Sequence, residues 1–284
     1  MKEPTAAAMC EFEGSPEFAK LLKRPGEINL VHLMLELAAD AYPDLDRVGC
    51  LMEIDRLGVA CSDRVATRNS LGERLHAVSE FLYDIEGFHG NRDDYYEPEN
   101  SYLNQVLARR RGIPISLGIL YMAVAARTGM RMFGLNTPGH FMIAACAAGQ
   151  MCYVDPFSGG DVLDRRGCEE RIAQMVGRSD ALCDEHFRPA SPLDIVARVL
   201  RNLKAAFAMR NDWSSVLEVQ RRLAALLPQI PQERRDLGLV YLRLGQPTKA
   251  LHVLEPYLAV CGSDQAEALR PSLKVARRMV AELN

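Results

Sequence analysis

The chain has 284 residues, with 34 Lys and Arg against 37 Asp and Glu, a formal net charge of -3. At about 150 residues per ordinary domain, that length predicts one large domain or two modest ones. The charge balance excludes a dedicated nucleic-acid binder, which needs a basic face, and an apolar content of 48% excludes a disordered chain.

The apolar stretch 113–126 is interrupted by Pro114, Ser116 and Gly118 and is too short to span a bilayer. The opening MKEPTAAAMCEFEG lacks the apolar run of a signal peptide, so a cytoplasmic protein without membrane contact is expected. The eight cysteines contain no CxxC pair and no Cys/His spacing suited to zinc. They read as reduced, small apolar residues, and neither a metal nor an organic cofactor is expected.

Residues 1–26, with Pro4, Gly14, Pro16, Pro25 and Gly26, read as a flexible leader. From 28 to 41 the apolar positions Leu30, Leu33, Met34, Leu37, Ala38 and Ala41 keep a helical rhythm, and Pro43 stops it. Residues 44–58 and 63–83 read as two more helices, broken at Gly87 and Gly90. A polar, aromatic loop follows, NRDDYYEPENS over 91–101. Residues 102–111 look helical, Gly112-Ile113-Pro114 breaks the chain, and 116–128 reads as a buried helix that opens on Ser116 as its N-cap and closes at Gly129. Three short strands are expected at 130–135, 141–145 and 151–154, separated by turns at Pro138-Gly139 and Gly149. A helix followed by a meander predicts an α+β core.

Residues 156–192 read as a linker. Beyond Pro192 the pattern is helical to the end and repeats at an offset of 34: Leu203 with Leu237, Phe207 with Tyr241, Val216 with Ala250, Leu217 with Leu251, Val219 with Val253, and Ala224 with Leu258. The turn markers Asn211-Asp212 and Gly245-Gln246 also correspond. This is the tetratricopeptide period, and it predicts two helix pairs and a closing helix over 191–284, with a surface for a protein or peptide partner.

Three residues stand at structural junctions. Ser116 lies where the Gly-Pro-broken loop becomes a helix, His140 starts a strand after a Pro-Gly turn, and Asp155 ends the next strand before Pro156. A nucleophile at a helix N-terminus, with a base and its orienter on successive strands, is the layout of an acyl-transfer site. Each residue also has a plainer reading: Ser116 as an N-cap, His140 as a hydrogen-bonded core residue, and Asp155 as a turn residue binding its own backbone. Cys146 and Cys152 flank a hairpin and do not replace the nucleophile. Around the site, Tyr95, Tyr96 and Phe157 are candidate binding-wall residues. Asn104 either donates to an oxyanion or fastens the loop to its helix. The acidic run Asp93, Asp94, Glu97, Glu99 lacks calcium-loop spacing.

The stretches GNRDDYYEPENSYLNQVLARRRGIPISLGILYMAVAARTGM, PGHF and YVDPFSGG, with RNLKAAF and ERRDLGLVYLRLGQPTKAL further on, resemble the bacterial SirB-type family of transglutaminase-like proteins. The resemblance implies a transglutaminase-like (papain-like) core with N-terminal helices over 27–190 (helical 27–100, core 101–165), and tetratricopeptide-like helices over 191–284. It implies that Ser116, His140 and Asp155 occupy the three triad positions, with Ser where the thiol chemistry needs Cys. A helix end is worth only about 0.3–2 kcal/mol, too little to hold a serine alkoxide. Ser116 therefore acts as a nucleophile only if His140 takes its proton during attack. Two readings follow. One is a protein-binding or regulatory scaffold with a weakly active or silent Ser-His-Asp cleft. The other is an active amidase, protease or acyltransferase using Ser116, which requires Ser116 bonded to His140. A third, a plain helical-repeat adaptor, requires His140 and Asp155 to lie apart.

Overall fold

The computed structural model describes residues 12, 14–23, 28–177 and 182–283. The chain divides into two units, Gly26–Val199 and Met1–Pro25 with Leu200–Asn284. The fold is helix-rich with small sheets, an α+β architecture.

The short helix α1 (Pro16–Lys23) belongs to the second of these units and lies in the stretch expected to be a flexible leader. Its residues Phe18, Leu21 and Leu22 are buried at i, i+3, i+4 spacing, and Pro16 supplies the favoured first helical position. The Arg222 guanidinium, in the same unit, sits 4.8 Å from the Phe12 ring and 4.7 Å from that of Phe18. The rest of the expected leader, residues 1–11, 13 and 24–26, lies outside the described residues.

In the unit Gly26–Val199, α2 (Leu30–Ala41) opens at Asn29, whose Oδ1 accepts the His32 N–H at 3.1 Å. The next helix, α3 (Arg47–Ala66), runs through the break expected after residue 58, because nothing between 59 and 62 interrupts a helix. The break falls instead at Thr67–Ser70. There Ser70 and Glu73 form a reciprocal capping box that starts α4 (Leu71–Ser79), continued by a π-helical turn at Glu80–Ile85.

A two-residue parallel pair, β1 (His89–Gly90) with β2 (Arg111–Gly112), ties the entry of the 91–101 loop to the end of α5 (Leu103–Arg109). α6 (Pro114–Arg127) is the buried helix, with Tyr121 wholly enclosed. It starts at Pro114, two residues before the expected start, so Ser116 is at the third helical position and is not the N-cap; Pro at the first position explains the difference.

The expected meander is present: β3 (Met132–Gly134), β4 (Ile143–Ala147) and β5 (Gln150–Asp155) are antiparallel neighbours, and β6 (Asp161–Leu163) adds a fourth strand on β5. The β4–β5 turn has Ala148 and Gly149 both at positive φ, 49° and 78°, the twist-compatible two-residue hairpin.

Residues 156–192 are not a linker. They contain β6, α7 (Arg165–Val176) and a short 3-10 turn at Asp184–Phe187. Cys168, Ile172 and Phe187 are buried in one cluster with Leu135, Met142, Ala144 and Tyr153. The charged surface of α7, rich in Arg and Glu, obscures the single buried edge that Cys168 and Ile172 form at i, i+4. α8 (Pro192–Met209) follows.

Beyond α8 come α9 (Trp213–Leu226), α10 (Pro231–Arg243), α11 (Pro247–Leu258) and α12 (Ser263–Leu283). Trp213 and Pro247, which open α9 and α11, share the offset of the sequence repeat. The matched turn residues Asn211 and Gly245 both take left-handed backbone, at φ 57° and 68°. Ala250 and Leu254 on α11 pack with Leu269 and Leu273 on α12. Among the described residues no helix is long and apolar enough to cross a membrane, and no group of three or more His, Cys, Asp or Glu is placed to hold a metal ion.

Candidate functional site

The meander brings His140 and Asp155 together. His140 lies just before β4 and Asp155 ends β5; pairing of Ile143 with Val154 sets them side by side. His140 Nε2 is 2.8 Å from Asp155 Oδ1, and both side chains are buried. Oδ1 also accepts the backbone N–H groups of Phe157 (3.0 Å) and Ser158 (3.3 Å), so Asp155 shapes its own turn as well as orienting His140.

Its other oxygen accepts Arg171 Nη1 at 2.5 Å, and the same guanidinium reaches Asp161 Oδ2 at 2.8 Å. Burial pushes the Asp155 carboxyl up, but the His140 contact, the Phe157 N–H and Arg171 outweigh it and hold the pKa at about 2. An ionised Asp155 accepts the proton on His140 Nε2. Arg171 carries no sequence signal of its own, because it is one of several Arg and Glu residues on a highly charged helix.

Ser116 is wholly buried, and its hydroxyl is used elsewhere. Oγ donates to Asn100 O at 2.6 Å and accepts the Ile113 N–H at 3.1 Å. It lies 3.1 Å from Ile113 O as well, but one hydroxyl proton favours the shorter contact. Ser116 therefore clamps the end of the 91–101 loop to the first turn of α6 and makes no hydrogen bond to His140.

The loop is fastened further by Asn91, whose Nδ2 donates to Asn100 Oδ1 and Glu97 Oε2, both at 3.1 Å, and by Asn100 Nδ2, which donates to Asp94 O at 2.7 Å. Asn104, expected as an oxyanion donor or loop fastener, has its Oδ1 buried with no hydrogen-bond partner among the described residues. The doublet Asn91/Asn100, flanking an aromatic loop, was the sequence signal for the fastening.

The candidate wall residues do assemble. The Phe157 ring stands edge-on to His140 at 6.3 Å and to Tyr95 at 5.8 Å, and Tyr96 stacks edge-on outside Tyr95 at 5.3 Å. Phe157 is pressed against Gly90: a Cβ there would fall 2.5 Å from its ring and 2.7 Å from its backbone oxygen. Gly90→Ala is expected to displace Phe157 from His140 and to lower stability by about 1–3 kcal/mol through overpacking, read from the urea midpoint.

Burial pushes Cys61 up to about 11 and Cys168 up to about 12, and exposed Cys146 lies on β4 opposite Met151.

Residues 49–201 match the family described as "Transglutaminase-like superfamily", and residues 203–279 match one described as "Tetratricopeptide repeat". A UPF0162 protein of Xylella fastidiosa is 35% identical over 232 residues, 81% of this chain and 83% of that protein. A UPF0162 protein of Vibrio cholerae is 27% identical over 197 residues, 69% and 73% of the two. F-box only protein 21 of Mus musculus is 40% identical over 110 residues, 36% of this chain and 18% of that protein. No solved structure matches the chain significantly.

Proposed function

Because the chain belongs to the transglutaminase-like superfamily and continues into tetratricopeptide repeats, we propose that it is a cytoplasmic binding scaffold with a catalytically silent cleft. In this reading the cleft keeps the base and orienter of an acyl-transfer site, His140 and Asp155, and the repeats hold a protein partner. The observation that carries the reading is the Ser116 hydroxyl, buried and donated to Asn100 O at 2.6 Å. A serine nucleophile needs its proton aimed at the base and its oxygen open to substrate; Ser116 has neither. The juxtaposition of His140 and Asp155 at 2.8 Å speaks against a plain adaptor that never had a site.

The alternative, an active Ser-His-Asp amidase, protease or acyltransferase, requires Ser116 to leave the Asn100 carbonyl and turn to His140. Treatment of the whole protein with a fluorophosphonate, followed by peptide mapping, separates the two. The expected result is no adduct on Ser116, and slow iodoacetamide alkylation of Ser116→Cys. A stoichiometric Ser116 adduct that disappears in His140→Ala would overturn the scaffold reading.

A further inference from the structure

Arg198, on α8 within the unit Gly26–Val199, is a half-buried cation. Its Nη1 donates to Thr137 O at 2.6 Å, and its guanidinium lies 5.7 Å from the Phe141 ring centroid. No carboxylate of the described residues reaches it, and the remaining donors of the guanidinium are not sealed away as buried, unsatisfied atoms. Burial lowers its affinity for a proton, with only the Tyr95 phenol opposing that push. A guanidinium withdrawn from water without a counter-charge is costly unless something else supplies one.

Its contacts lead to His140 through Thr137. Thr137, whose carbonyl receives Arg198, donates its own hydroxyl to His140 O. His140 faces Phe157, and Phe157 faces Tyr95. Arg198 and His140 thus flank Thr137, with Phe157 and Tyr95 as the apolar part beyond His140. Arg92 covers the outer side, with its guanidinium 5.1 Å from the Phe157 centroid and a long contact to Ser158 Oγ. Of the acidic groups nearby, Asp155 is engaged with His140 and Arg171, and Glu97 with Arg109. Two guanidinium groups, those of Arg198 and Arg92, thus stand beside aromatic surface.

We propose that the His140 cleft binds a carboxylate attached to an apolar peptide segment, with Arg198 as the carboxylate-binding residue. This rests on reading the cleft as a binding site. A planar guanidinium receives a carboxylate through two parallel N–H bonds, and the Tyr95 and Phe157 rings take the adjoining apolar side chain. A C-terminal carboxylate and an acidic side chain share this chemistry.

Three peptides test it on the whole protein: acetyl-Ala-Phe with a free C-terminus, acetyl-Asp-Phe-amide, and the neutral acetyl-Asn-Phe-amide. Binding is followed by NMR through the ring resonances of the six histidines, with His140 assigned from His140→Gln. At least one carboxylate peptide is expected to bind about tenfold or more tightly than the neutral one, the range of a charge-assisted hydrogen bond. The shift should fall on His140, and Arg198→Gln should abolish the preference. Preference for the first or second peptide identifies the carboxylate as terminal or side-chain. Equal binding of all three, shifts confined to the other histidines, or an unchanged preference in Arg198→Gln would overturn the proposal. Should Arg198→Gln not fold, Arg198→Lys, which keeps the charge and loses the two-bond fork, is expected to weaken the preference. The peptide comparison on the unaltered protein stands in either case. A fluorophosphonate adduct on Ser116 would instead strike the scaffold reading and leave the carboxylate preference as measured.

Discussion

Replacing Asp155 by asparagine is expected to destabilise the transglutaminase-like unit by about 2–4 kcal/mol, because it removes the charge on which Arg171 and His140 converge. Asp155 is fully buried and accepts four hydrogen bonds. An asparagine can keep the turn contacts to Phe157 and Ser158, but turns an N–H toward the Arg171 guanidinium. Arg171 retains Asp161 and some exposure, which keeps the loss below that of a fully orphaned charge. The same carboxylate gives the protein an acid dependence. Its folded pKa of about 2 lies below the ordinary 3.8, so the ionised form is favoured by folding. Its contribution is fully present above about pH 4 and is lost as the pH falls toward 2. The shift corresponds to about 2 kcal/mol. Urea unfolding at pH 7, 4 and 2.5 should show the parental protein losing that stability across the lower interval and Asp155→Asn losing less. Parallel pH profiles for the two would remove Asp155 from the account.

Ser116→Ala is expected to lower stability by about 1–3 kcal/mol, although a small hydroxyl is exchanged for nothing larger. The loss comes from what is left behind: the Asn100 carbonyl without its short contact, and the Ile113 N–H with only a long bond of 3.4 Å to the same carbonyl. For a unit of this size the drop corresponds to roughly 3–10 °C in Tm. The 91–101 loop, which carries Tyr95 and Tyr96, should become more open to proteolysis in the variant. A surface serine would change little, so an unchanged melting temperature would show that Ser116 is not the clamp.

The local elements were legible where a chemical punctuation mark stands in the chain. Asn211 and Gly245 mark the two left-handed turns of the repeat, Gly149 marks the β4–β5 hairpin, and the 34-residue spacing places α9 and α11. The differences from expectation also have local causes. Ser70 with Glu73 spells a helix start inside a longer apolar rhythm, Pro114 rather than Ser116 opens α6, and α1 hides three buried residues behind prolines and a glycine. For α7 the sequence shows mostly charge, and its role depends on the two residues it buries.

At the candidate site the division is sharper. Residue type and junction position were enough to single out His140 and Asp155, because strand ends in a short meander leave few ways to bring a base to an acid. The partners of their hydrogen bonds follow from no local pattern. Arg171 comes from a helix after the sheet, Arg198 from another beyond it, and Asn100 from the loop before α6. Sequence by itself determined the α+β and repeat classes, the hairpin and the His-Asp pair, since these follow from periodicity and turn chemistry over a few residues. Tertiary structure alone decided that the Ser116 proton goes to a backbone carbonyl instead of an imidazole, because hydroxyl direction is set by which acceptor the packed loop delivers within hydrogen-bond reach.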